Sequence, residues 1–196
     1  MISTLENIRE LSKQEFLPIL SEECEKVLVD LMKSEKPTKI LEIGTCVGYS
    51  SSIMLLNSNA TIDTLELDKE RLDVAKSVWT SLNLQDRVTS YLGDANVILK
   101  DVIKDKIYDF VFLDGPKSRY LEHFNIVFDN VKSGGIILAD DVLFFGLVNG
   151  PEHVEHKHRT IVRHLREFFA ELKARDDIEL NLLDEGNGIA IIRKKW

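Results

Sequence analysis

Two apolar runs end in carboxylates. Phe110 to Leu113 lead into Asp114, with Lys117 three residues on, and Ile136 to Ala139 lead into Asp140 and Asp141. A charge at the end of a buried strand is costly unless something there answers it. Two such strands delivering carboxylates to one end of a sheet point to a metal ion. Hard carboxylate oxygens suit Mg²⁺, which leaves positions for water and substrate. Taken singly, the aspartates could be helix caps or turn residues and Lys117 a solvated loop lysine. Their recurrence after two separate strands weighs against that.

The elements that must position these residues alternate along the chain. Apolar side chains at Leu17, Leu20, Cys24, Val27, Leu28 and Leu31 give an amphipathic helix over 16–32, within an N-terminal helical segment 1–36. Strands follow at 39–44, 61–67, 88–93, 108–114 and 134–140, with helices at about 49–56, 69–82, 95–103, 118–131 and 159–172. The end reads as two strands joined by a turn at 185–188. Five βα repeats with short, nearly continuous apolar strands imply a parallel sheet with helices on both faces. The closing hairpin adds antiparallel edges, for an α/β fold in a single domain, 1–196. A loop over 142–158 is expected to be a substrate lid.

In such a sheet, ligands bind beyond the carboxyl ends of the strands. Gly44 and Gly48 flank the first strand-to-helix turn, where glycine lets a ligand approach the backbone. The loop lacks the third glycine of a dinucleotide fingerprint, which argues against a pyrophosphate. Glu66 ends the second strand, 22 residues after Gly44, where a carboxylate can hold ribose hydroxyls. Asp94 could accept from an adenine amino group or merely cap a helix. Adenosine bound by carboxylates without phosphates suggests S-adenosylmethionine, whose sulfonium suits an acidic cleft.

The stretches "LEIGTCVGYSS", "LELD", "GDA", "FLDGPKSRY" and "ILADD" resemble, in order, the motifs of the class I S-adenosylmethionine-dependent O-methyltransferases. The subgroup is the metal-dependent one that includes catechol and caffeoyl-coenzyme A O-methyltransferases. The resemblance implies a Rossmann-like fold with a mostly parallel seven-stranded sheet, and commonly a homodimer. It implies that Glu42, Gly44, Gly48, Ser50, Glu66, Asp94, Ala95 and Asp114 line the cofactor site, with Gly44 and Ser50 at the methionine portion. Asp114, Asp140 and Asp141 take the three metal-ligand positions, and Lys117 that of the catalytic lysine. Asp141 stands where Asn is usual, which makes the site more anionic. In this chemistry Mg²⁺ or Mn²⁺ acidifies a chelating hydroxyl, and Lys117 takes the proton if burial and the metal depress its pKa.

For the acceptor, "LPIL", "DDVLFFG" and "KHRTIVRHLREF" resemble bacterial tRNA 5-hydroxyuridine methyltransferases within this family. That resemblance implies methylation of the 5-hydroxyl of 5-hydroxyuridine at the tRNA wobble position, to 5-methoxyuridine; the base presents vicinal oxygens, as a catechol does. Net charge is −8, against nucleic acid as a partner, yet Lys157, Arg159, Arg163 and Arg166 stand within ten residues without an acid. Residues 1–35, by contrast, carry eight acidic and four basic side chains. An outward basic helix face on an acidic chain can bind RNA phosphates, although such a face is also ordinary solvated surface. A small-molecule acceptor would make it incidental. A non-catalytic cofactor- or RNA-binding module would have no use for Asp114, Lys117 and Asp140 together.

His153, His156 and His158 invite a zinc reading, but no cysteine or carboxylate pattern completes it. Phe144 and Phe145 could stack on a flat acceptor or pack in the core. Cys46, in the cofactor loop, reads as a small side chain in a tight space. With 44% hydrophobic and 30% charged residues, two cysteines, no apolar run of membrane-spanning length and no signal-peptide pattern, a cytoplasmic location is expected.

Overall fold

The computed structural model describes residues 5–14, 19–150 and 154–196. They form two compact units, 1–102 and 103–196, and the seven strands belong to one sheet.

In the first unit, helices α1 (Leu5–Gln14) and α2 (Glu22–Glu35) precede β1 (Lys39–Ile43), α3 (Tyr49–Leu56), β2 (Thr61–Glu66), α4 (Lys69–Ser81), β3 (Val88–Leu92) and α5 (Ala95–Ile103). The strand order is β3-β2-β1, all parallel, with Lys39 beside Thr61 and Ile62 beside Val88. β1 and β2 are buried for all but their first residues, whereas β3 is half exposed, unlike the continuous apolar strand expected. Helix α2 starts at 22 rather than 16, because Ser21 adopts an extended backbone and its hydroxyl accepts from the Cys24 N–H. Glu22, Glu23 and Glu25 in its first turn suit the positive end of the helix. The expected start of that helix at 16–18 lies outside the described residues, as does part of "LPIL".

In the second unit, β4 (Tyr108–Leu113), α6 (Tyr120–Val127), β5 (Val131–Ala139), α7 (His156–Ala174), β6 (Ile178–Leu183) and β7 (Ile189–Lys194) give the strand order β4-β5-β7-β6. β4 and β5 are parallel; β7 runs antiparallel to both β5 and β6, so the closing hairpin forms as expected. The helix expected over 118–131 is shorter. It is flanked by 3-10 turns at Lys117–Arg119 and Phe128–Asn130, and β5 begins at Val131. Asn130 ends the helix by donating its amide to the carbonyls of Ile103 and Lys106, at 2.9 and 2.7 Å. Tyr120, Phe124, Val127 and Phe128 form the buried stripe, and Phe168 of α7 packs edge-on against Tyr120 and Phe124. Helix α7 also begins earlier than expected, so 156–158 belong to its first turn rather than to a lid; 151–153, and with them His153, lie outside the described residues. Among the described residues no helix is long and apolar enough to cross a membrane.

Candidate active site

The loop after β1 is built on buried polar side chains. Glu42 accepts from the hydroxyls of Ser50 and Thr64, at 2.5 Å each. Thr64 thereby uses its one proton, so Thr45, 2.5 Å away, must be the donor in their pair. The chain Thr45–Thr64–Glu42–Ser50 ties the loop, the first turn of α3 and two strands into one unit. Glu42 and the Ser50 hydroxyl proton are therefore engaged within the protein. The sequence offered one cue to Thr64, a hydroxyl in an otherwise apolar strand; its partners become visible only when β1 and β2 pair.

The backbone of this loop is left-handed at Gly44, Cys46 and Gly48, with φ of 103°, 48° and 77°. At Gly48 a Cβ would meet Trp79 Nε1 at 2.9 Å and the Ala75 Cβ at 3.0 Å, so packing of α4 also demands glycine there. Trp79 in turn donates to the Ser51 hydroxyl at 3.0 Å. Glu66 closes the far side: its Oε2 accepts the Cys46 N–H at 2.7 Å and its Oε1 accepts the Asp68 N–H at 2.9 Å. Each oxygen keeps a lone pair, and a carboxylate so held is fixed as an acceptor for a diol. Asp94 is exposed and caps α5, whose first residue is Ala95; its Oδ1 accepts from both the main-chain and side-chain nitrogens of Asn96.

In the second unit, Asp114 follows β4, Lys117 opens the next turn, and Asp140 and Asp141 follow β5. Lys117 Nζ lies 2.9 Å from Asp114 Oδ1 and 3.6 Å from Asp141 Oδ2. Asp140 Oδ1 accepts the Asp141 N–H at 2.8 Å, and Asp141 is itself left-handed, with φ 55°. Burial, with Asp114 and Asp141 adding repulsion, pushes the Asp140 carboxyl up to about 6. Burial raises Asp114 as well, against the pull of Lys117. For Lys117, burial acts to lower the pKa, while the neighbouring Asp114 and Asp141 carboxylates act to raise it and favour the ammonium. The depression that the sequence reading expects from burial is thus opposed by two carboxylates. Burial also raises the Tyr120 phenol. That neutral O–H donates to the carbonyls of both Leu113 and Asp140, a supporting role the helical stripe alone did not disclose.

Among the described residues, no three His, Cys, Asp or Glu side chains are gathered with the spacing of a metal site. The donor chemistry nevertheless fits a hard divalent cation. Three carboxylates lie around one ammonium, a hard, oxygen-rich and acidic donor set.

The basic residues of α7 divide. Arg159 and Arg163 are exposed, although Arg163 lies 3.7 Å from Glu167, and Lys157 pairs with Glu155 at 3.2 Å. Arg166 does not face outward as expected; its guanidinium donates to the carbonyls of Leu147, Val148 and Gly150.

Residues 2–195 match the O-methyltransferase family. The chain is 31% identical over 174 residues to a caffeoyl-CoA O-methyltransferase of Medicago sativa, covering 84% of this chain and 70% of that protein. A provisionally assigned caffeoyl-CoA O-methyltransferase structure from Staphylococcus aureus superposes with a TM-score of 0.90 at 26% identity, over 98% of this chain and 92% of that one. An O-methyltransferase from Bacillus cereus, solved with S-adenosylhomocysteine, gives 0.86 at 27% identity, over 100% and 92%.

Proposed function

The chain belongs to the S-adenosylmethionine-dependent O-methyltransferases, and from that premise we propose that it methylates one hydroxyl of a small acceptor bearing two vicinal oxygens, of the catechol or caffeoyl-coenzyme A type. The carrying observation is the cluster of Asp114, Asp140 and Asp141 around Lys117. A divalent ion such as Mg²⁺ held by those aspartates would lower the pKa of a chelating hydroxyl. S-adenosylmethionine supplies an electrophilic methyl group. Glu66 anchors the ribose, and the loop from Gly44 to Ser50 receives the methionine portion. Lys117, beside Asp114 and Asp141, would stabilise the acceptor oxygen as its proton leaves to solvent. The methyl passes from sulfur to oxygen, leaving neutral S-adenosylhomocysteine.

A tRNA bearing 5-hydroxyuridine at the wobble position is a second reading, favoured by the exposed guanidiniums of Arg159 and Arg163. It would use the same aspartates, since the 5-hydroxyl and 4-carbonyl offer the same oxygen pair. Assaying the pure enzyme with Mg²⁺ against caffeoyl-CoA, a catechol panel and hydroxylated tRNA decides between them. Methylation of the small acceptors is expected. Turnover confined to tRNA would install the second reading, and turnover on neither would sink both.

A further inference from the structure

We propose that Arg166 is a positioning residue for the acceptor, clamping the loop after β5 in the strained form that presents Phe144 and Phe145. Three consecutive residues of that loop are left-handed: Phe144, Phe145 and Gly146, with φ of 44°, 57° and 73°. Two of them are bulky aromatics, for which this backbone is unfavourable, so surrounding contacts must over-determine it. At its near end the loop is tied to the β6–β7 turn, where the Val142 and Leu143 N–H groups donate to Gly188 and Asn187 at 3.0 and 2.8 Å. At its far end the tie is Arg166. Its Nε donates to Val148 at 3.0 Å, and its Nη2 to Leu147 at 3.1 Å and Gly150 at 3.4 Å. A guanidinium fork can serve several carbonyls at once, which a lysine cannot match in geometry.

What the clamp displays is otherwise unexplained. Phe145 is 69% exposed, and Phe144 leans edge-on against Phe145 and against His158 of α7. An exposed aromatic on a rigid turn, four residues after Asp141, suits stacking on a flat acceptor ring. This role rests on the proposed reading of the acceptor, but the clamp itself does not.

The test compares Arg166→Met and Arg166→Lys with an Arg163→Met control, each checked for folding by thermal melting. In Arg166→Met, amide hydrogen exchange across 143–150 should rise by about tenfold or more, with a smaller rise in Arg166→Lys and none in the control. The KM for caffeoyl-CoA and for 3,4-dihydroxybenzoate should rise about fivefold or more while kcat changes less, and S-adenosylhomocysteine affinity should hold. Unchanged exchange, or faster exchange with an unchanged KM, overturns the proposal. If the parent methylates neither compound, the acceptor reading has failed, and the exchange result alone decides the clamp.

Discussion

The phenolic oxygen of Tyr120 lies 2.9 Å from the main-chain carbonyl of Asp140 and donates its proton there, while also reaching the carbonyl of Leu113. One buried hydroxyl thus fastens the ends of β4 and β5, the two strands that deliver the site's carboxylates. Tyr120→Phe keeps the ring packed on Phe168 and removes only this tie. The Leu113 carbonyl retains the Asp140 N–H, so mainly one acceptor is orphaned. Urea unfolding should show a loss of about 1–3 kcal/mol. A variant as stable as the parent would show that the tie is dispensable.

Activity should depend on a divalent ion. Excess chelator should abolish methyl transfer, and Mg²⁺ or Mn²⁺ should restore it. Titration calorimetry should register Mg²⁺ binding to the parent and weaker binding to Asp140→Asn. Full turnover in chelator would exclude the metal reading. S-adenosylhomocysteine binding should survive the chelator, because its proposed anchors, Glu66 and the Gly44–Ser50 loop, belong to other strands.

Glu66→Ala should weaken S-adenosylmethionine binding by about 1.5–3 kcal/mol, the value of hydrogen bonds to a charged group. The change also frees the Cys46 N–H from its partner, so Glu66→Gln, which keeps one acceptor, should lose less. Equal dissociation constants for parent and Ala variant would remove Glu66 from the site.

Replacing Arg159 and Arg163 with Ala separates the two acceptor readings. If tRNA is a substrate, its KM should rise and the salt dependence of that KM should flatten, since each phosphate contact contributes to the slope. The KM for a small catechol should stay the same. A matched rise for both would place these arginines in the general architecture instead.

Arg175 and Asp177 make a pH-dependent joint at the end of α7. The guanidinium pairs with Asp177 at 2.8 and 2.5 Å and lies 3.9 Å from the centre of the Phe128 ring. Its hydrogen bonds and charge hold the Asp177 carboxyl below its ordinary value. Ionised Asp177 therefore contributes stability at pH values above the ordinary carboxylate range, and the contribution fades as pH falls through the depressed folded-state pKa. Between about pH 5 and 3, the parent should lose stability more steeply than Asp177→Asn in thermal melts. Parallel profiles would show that the pair is solvent-screened and thermodynamically silent.

The sequence by itself determined the order of β and α elements, the burial of β1, β2, β4 and the end of β5, and which carboxylates follow the strands. Those features are local: an apolar run such as Phe110–Leu113 and a turn such as Glu185–Gly188 act through a few neighbours in the chain. It also carried the family resemblance, because "LEIGTCVGYSS" and "FLDGPKSRY" are contiguous. Only the tertiary structure decided what depends on partners far away in the chain. Glu42 looks like a ligand-facing carboxylate in sequence, yet Thr64, 22 residues on, joins Ser50 in claiming it. Arg166 looks like one cation of a basic face, yet carbonyls 16 to 19 residues earlier absorb its donors. Lys117 looks like a buried loop lysine with Asp114 for a neighbour, yet Asp141, brought in by β5, adds a second carboxylate that opposes the effect of burial. In each case the side chain's chemistry was legible, but its protonation and direction were set by groups that only strand pairing and helix packing bring within hydrogen-bonding or Coulombic range.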